Sequence, residues 1–245
     1  MKISIVIPSL NSEKIITNSI YKIKKKLKKI NQLNYELIII DDGSTDDSSK
    51  LLKKINKKHI KIIHNSKNLG KSSSLIKGIK IARYQNIIIW DCDLPYYIYF
   101  EKLLKSLQSN DFVYVDRRSK NSFLKSEKLN FYQFCRHIIS NIVCSLINYL
   151  ILNSYLGDTQ AGLKGFKKPK NFNNLKFTSK KFFLDAELMV LFSNSHTKMQ
   201  SIPLKYKIYQ NSTIKIFELQ NFVYLAELFK IILRYRFKKI KKILF

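Results

Sequence analysis

The chain has 245 residues, 45% of them hydrophobic, which is enough for one large α/β domain or two small ones with a sizeable core and excludes disorder as the dominant state. With 45 Lys and Arg against 17 Asp and Glu, the formal charge of +28 calls for an anionic partner: nucleic acid, a phosphorylated substrate or the cytoplasmic leaflet of a membrane. Lys far outnumbers Arg, so a composition bias explains part of that excess equally well. Three cysteines, Cys92, Cys135 and Cys144, form no CxxC pair, which argues against a disulfide framework or a zinc site and for a reducing cytoplasm.

In chain order, MKISIVIPSL reads as a first strand over 3–8 rather than a signal peptide, because a short apolar run meets Pro8 with no small-residue cleavage site. Further strands are predicted over 35–41, 60–64, 86–90 and 111–116, with amphipathic helices between them over 13–30, 45–55, 71–84 and 97–107. This alternation is that of a mostly parallel sheet with crossover helices. The second half is less regular. It holds a long apolar stretch over 131–156, the segment GDTQAGLKGF over 157–166, an exposed Lys/Asn-rich loop over 167–176, a helix over 185–193, and strands over 199–203 and 206–209.

Two apolar strands end in carboxylates. In IIIWDCDLP, Asp91 and Asp93 stand two apart at a strand end, so both face one side, and their hard oxygens suit Mg²⁺ or Mn²⁺ bridging a diphosphate. In YELIIIDDGSTDDSS, Asp41 or Asp42 is placed to accept a hydrogen bond from a base or ribose, and the turn at Gly43 lets the backbone approach it. Capped helix starts account for part of the same pattern, with Ser44 or Thr45 as N-cap.

IVIPSLNSE, the DDGST strand, NLGKSSSLIKG and DCDLP follow one another in the order and approximate spacing of the family 2 glycosyltransferases, which the chain resembles over residues 1–216. GDTQAGLKGF, FFLDAELM and IPLKYKI narrow the resemblance to the dolichyl- or polyprenyl-phosphate sugar transferases, especially the β-glucosyltransferase branch. The resemblance implies an α/β GT-A fold, a Rossmann-like nucleotide-sugar domain. It implies that Pro8, Asn11 and Glu13 line the nucleotide pocket with Asp42, that Lys71 sits near the uracil or diphosphate, and that Asp91 and Asp93 hold the metal. Arg117, with Arg118 as its substitute, takes the place of the basic residue near the reacting phosphates. Asp158, Thr159 and Gln160 shape the sugar and acceptor site, Asp185 and Glu187 match the acidic pair beside the acceptor, and Ser212 with Lys215 loosely represents a late Ser-Lys contact. Pro95 stands where mannose-transferring relatives often carry Gln, which favours glucose.

The expected reaction moves a hexose with inversion from UDP-glucose or GDP-mannose to a polyprenyl phosphate, whose second pKa of roughly 6 leaves it largely ionised without a strong base. Asp185 then positions sugar or acceptor. If the acceptor is a hydroxyl of a surface polysaccharide or glycolipid, Asp185 or Glu187 becomes the base. A nucleic-acid-binding module rests on charge alone, because the cations are not interleaved with the 14 Tyr and 16 Phe in a compact motif, and no nucleic acid is expected. Residues 137–157 carry no formal charge, and Asn141, Ser145 and Asn148 form one polar stripe there, the mark of an amphipathic helix packed on the core or lying at a membrane interface. The segment 217–245 reads as a basic amphipathic helix, either a membrane-surface anchor or a docked terminal helix. Peripheral placement at the cytoplasmic face of a membrane follows from these features, and the oligomeric state is left open.

Overall fold

The structure, a computed structural model, describes residues 1–55, 58–124, 130–152, 155–193, 197–206 and 220–243. The first half runs β1 (Ile3–Ser9), α1 (Ile16–Lys29), β2 (Tyr35–Asp41), α2 (Ser48–Lys53), β3 (Ile60–His64), α3 (Lys71–Ile81), β4 (Asn86–Trp90), α4 (Phe100–Ser109) and β5 (Phe112–Asp116). Each element falls where apolar periodicity places it, with helix ends trimmed except in α4, which starts later and runs two residues further than expected. The second half supplies β6 (Phe123–Leu124), α5 (Phe131–Leu146) continuing as a wider π turn over Ile147–Leu152, β7 (Leu163–Lys167), α6 (Leu184–Ser193), β8 (Met199–Pro203), β9 (Lys205–Tyr206) and α7 (Gln220–Ile243).

Seven strands form one sheet in the order β3-β2-β1-β4-β7-β5-β8. All run parallel except β7, which pairs antiparallel with both β4 and β5. GDTQAGLKGF therefore contains a central strand that its glycines do not announce, and the mostly parallel expectation holds around it. The chain steps from β1 to β2 and β3 on one side and to β4 on the other, so a crevice opens at the carboxyl ends of β1, β2 and β4, the usual ligand position in such sheets.

Helices cover both faces. Ile16, Ile20, Ile23 and Leu27 recur at helical spacing along α1 and pack on Ile3, Ile5, Ile7, Leu37 and Ile39, while the lysines of α1 face outward. Across the sheet, Val6, Ile38, Ile40, Ile87 and Ile89 pack on Leu75 and Ile79 of α3, on α6, and on Leu228 and Ile231 of α7. The inner face of α7 thus belongs to the second core, as in the docked alternative. The stretch over 167–176 is exposed at 170, 171, 173, 174 and 176 as expected, but Lys167 closes β7 and Phe172 is buried on the ring of Phe177.

α5 and its π turn pack Val143, Ile147, Ile151 and Leu152 into the second core. Asn148 is buried, donating to the carbonyls of Cys144 and Gly157 and accepting from the Leu156 amide. Phe131, Phe134, Ile138, Ile142, Leu146 and Tyr149 are exposed. Asn148 turns inward because the 156–158 turn has backbone groups to satisfy, whereas Ser145 of the expected polar stripe is exposed. A second apolar stripe is left outside.

Candidate active site

The loops after β1 and β2 are laced together at the sheet edge. The Asn11 amide donates to Ser44 Oγ at 2.9 Å and the Thr45 amide to Asn11 Oδ1 at 2.9 Å; the Glu13 amide donates to Asp46 Oδ2 and the Asp47 amide to Glu13 Oε2, each at 3.1 Å. Asn11 takes a left-handed backbone, φ 47°, that turns the chain toward its neighbour. Pro8 and Gly43 lie along the same rim, Pro8 next to last in β1 and Gly43 in the turn after β2.

The adjacent acids divide their work. Asp41 is buried and accepts from the Ser44 amide and from Ser49 Oγ, with His64 Nδ1 at 2.9 Å. Burial raises its carboxyl, but these hydrogen bonds outweigh it and the net shift is downward. Asp42 accepts from Asn65 Nδ2 at 2.8 Å and from the amides of Leu69 and Gly70 at 3.0 and 2.8 Å. It therefore ties the end of β2 to the residue preceding Lys71. Gly70 is required there: its φ is 105°, and a Cβ would stand 2.6 Å from the Lys180 carbonyl oxygen.

Lys71 opens α3, and its ammonium lies 2.7 Å from Asp91 Oδ1. Burial disfavours that charge, yet Asp91 and then Asp185 overcome the penalty and raise its pKa. Asp93 is raised by burial and by the charge of Asp91. The loop beyond is strained, with Leu94 at φ 52° and Tyr96 at φ 59°, and Trp90 Nε1 pins it by donating to the Pro95 carbonyl at 2.9 Å. Gly162, just before β7, approaches so closely that a Cβ there would collide with Asp91 Oδ2. A pair of hard carboxylates that repel each other, one already beside an ammonium, fits a divalent cation. Among the described residues no cluster of three or more such ligands occurs, so a cation held by Asp91 and Asp93 would take its further donors from elsewhere.

At the end of β5, Arg117 donates to Asp158 through both Nε and Nη2. Arg118 Nη1 lies 2.8 Å from Asp158 Oδ1 without hydrogen-bond alignment, and its Nη2 donates to Ser140 Oγ at 2.9 Å. Arg118 Nε has no acceptor among the described residues. Asp116 completes the knot, accepting from the amides of Arg118 and Asp158. Burial pushes the Asp158 carboxyl up, but the charge of Arg117 and its hydrogen bonds win and hold it far below the carboxylate range.

Three expected acceptor residues therefore stand behind the site rather than in it. Asp158 and Thr159 are fully buried, Asp158 holding the arginines and Thr159 against Cys144. Glu187 is buried, accepting from the amides of Thr178 and Ser179 and from the Tyr235 hydroxyl, so it caps a loop. Gln160 is half-buried beside them. Asp185 is buried with Oδ1 accepting from Lys164 Nζ at 2.7 Å. Lys164 escaped the sequence reading although its signal was there, a lone cation in the apolar run of LKGF. Ser212 and Lys215 lie outside the described residues.

Comparison with known proteins gives the family and the fold. The model of glycosyl transferase family 2 matches residues 4–167. The chain belongs to that family. It is 28% identical over 144 residues to dolichol-phosphate mannosyltransferase of Pyrococcus furiosus, covering 57% of the chain and 38% of that protein. It is 26% identical over 205 residues to human dolichyl-phosphate beta-glucosyltransferase, covering 78% and 62%. Each match thus spans less than two thirds of the relative's length. Among solved structures, glucosyl-3-phosphoglycerate synthase from Mycobacterium tuberculosis, in complex with Mn²⁺, UDP and phosphoglyceric acid, superposes with a TM-score of 0.59 at 16% identity over 94% of the chain and 78% of that one. The family 2 transferase thus has the GT-A fold.

Proposed function

We propose that this transferase moves a hexose, glucose, from a nucleotide sugar to a polyprenyl phosphate with inversion at the anomeric carbon, working at the cytoplasmic face of a membrane. The observation that carries the reading is the run Asp42–Gly70–Lys71–Asp91, which joins the base-side rim to the acidic pair at the topological switch point. UDP-glucose is the favoured donor and GDP-mannose the competing one. The similarity to enzymes named for dolichyl phosphate supports the acceptor class, and the Mn²⁺ complex of a GT-A neighbour supports a divalent metal.

In this reading Asp91 and Asp93 hold Mg²⁺ or Mn²⁺, which supplies charge stabilisation to the leaving diphosphate. Lys71 adds a fixed cation beside them, and Arg117 and Arg118 receive the acceptor phosphate, preset by Asp158 so that little reorganisation is needed. An acceptor oxygen attacks C1 as the C1–O bond to the diphosphate breaks, and the electron pair leaves with the nucleotide. No proton need be removed from an ionised phosphate. Asp185 agrees with that economy, since one oxygen is committed to Lys164 and the group orients rather than deprotonates.

The outward apolar stripe of α5 and the exposed Phe222, Leu225, Phe229 and Leu233 of α7 are the proposed membrane face, with the basic charge of the chain meeting anionic headgroups. Phe131–Leu152 is apolar and long enough, at 22 residues, to cross a bilayer, but Gln133, Cys144 and Asn148 pack on the domain, which favours a helix lying in the interface. The deciding experiment incubates the chain with Mn²⁺, labelled UDP-glucose or GDP-mannose, and undecaprenyl or dolichyl phosphate. Metal-dependent label in the organic phase supports the assignment, and label with neither donor overturns it.

A further inference from the structure

The lone acid of α7, Glu227, is buried against a loop of the catalytic domain. Its Oε1 accepts from the amides of Lys180 and Lys181, the latter at 2.8 Å, and its Oε2 from the Phe182 amide at 3.0 Å. The carbonyls of that same loop face the opposite way. Lys181 O accepts from the Ser72 amide at 3.1 Å and Lys180 O from the Ser73 amide at 2.8 Å, so the loop serves the first turn of α3. Ser72 Oγ and Ser179 Oγ lie 2.7 Å apart, and the Leu184 amide donates to Ser72 Oγ. The Phe182 ring lies 5.5 Å from the Lys71 ammonium on one side and 5.5 Å from the Tyr224 ring of α7 on the other.

We propose that Glu227 is a positioning residue for the donor site: through it, α7 clamps the 179–182 loop onto the start of α3 and fixes Lys71 opposite Asp91. The argument is one of satisfaction. Five amides in two rows, 180–182 and 72–73, plus that of Leu184, depend on partners in this layer, and a helix that also offers an apolar face to solvent supplies the carboxylate. Without it, three loop amides lose their acceptor and the loop has no reason to keep its carbonyls on α3. The C-terminal helix therefore contributes to nucleotide binding although none of its described residues stands at the acidic pair. The inference rests on the donor-site reading above.

The test uses the full chain with Glu227→Ala and Glu227→Gln. Gln keeps one acceptor oxygen but turns an amide group toward an N–H donor, so it is the milder change. Amide hydrogen exchange is expected to speed up over both 179–183 and 71–73 while β1 and β4 stay protected. Titration with UDP and GDP in Mn²⁺ is expected to show about tenfold weaker binding for Ala, and less loss for Gln, of whichever nucleotide the wild type binds. Sedimentation with anionic vesicles should not change, because Glu227 is off the exposed face. Faster exchange confined to 180–182 with intact nucleotide affinity overturns the proposal, as does uniform acceleration through the whole chain in the Gln variant. A wild type that binds neither nucleotide overturns the donor-site reading instead, and the exchange pattern still decides the role of Glu227.

Discussion

Lys164 and Asp185 are both buried, and each charge is tolerable only because the other is there. Lys164→Met is expected to cost about 3–5 kcal/mol by stranding the carboxylate, and Lys164→Met with Asp185→Leu to recover most of it, as urea unfolding would show. If the double variant is no more stable than the single one, the pair is not the source of the cost. At the acidic pair the expected loss is in rate: Asp93→Asn should lower transfer by about 100-fold or more while leaving the unfolding midpoint nearly unchanged. Asp158 makes a pH prediction. Its folded carboxyl is depressed by Arg117, so it contributes stability that is present above the ordinary value of 3.8 and lost as pH falls below it. Below about pH 4, Asp158→Asn should therefore show a shallower fall of unfolding free energy with acid than the wild type, checked by denaturant curves between pH 4 and 2. The acids at 41, 42, 91 and 93 were readable because each ends an apolar strand. The roles of Asp158 and Glu187 were not, since whether a carboxylate faces substrate or a buried arginine or amide depends on partners 41 and 9 residues away.

Among the elements, α5 separates pattern from orientation. Its periodicity announces an amphipathic helix, but periodicity does not say which face meets protein, and here Asn148 goes inward to serve the 156–158 turn. Replacing Ile142 and Tyr149 together with Glu should reduce sedimentation with anionic vesicles about tenfold and leave thermal unfolding unchanged, because both side chains are exposed. Unchanged vesicle binding would remove α5 from the membrane face. β7 was hidden for a related reason. LKGFK is short and interrupted by Gly165, and its place between β4 and β5 is set by pairing with strands distant in sequence. The same holds for α7, where apolar spacing and terminal cations are visible in the sequence but the grip of Glu227 on a loop 45 residues upstream is not.

For the molecule as a whole, charge and shape act together. A formal charge of +28 attracts anionic surfaces at long range, and the apolar faces of α5 and α7 offer short-range contact. Raising NaCl from about 50 to 500 mM should therefore weaken binding to anionic vesicles severalfold and change binding to neutral vesicles little, since salt screens charge but does not weaken apolar burial. Equal salt response for both lipids would show that charge plays no part in docking.

The sequence by itself determined the alternation of strands and helices, the carboxylates at two strand ends and the family, because these are local properties: side-chain period, turn chemistry and motif order along one stretch of chain. The tertiary structure decided which charges face one another, which face of α5 is covered and how α7 holds the loop packed on the start of α3. Those outcomes depend on desolvation and on the pairing of groups far apart in the chain, and a charged side chain takes its meaning from the partner that burial brings to it.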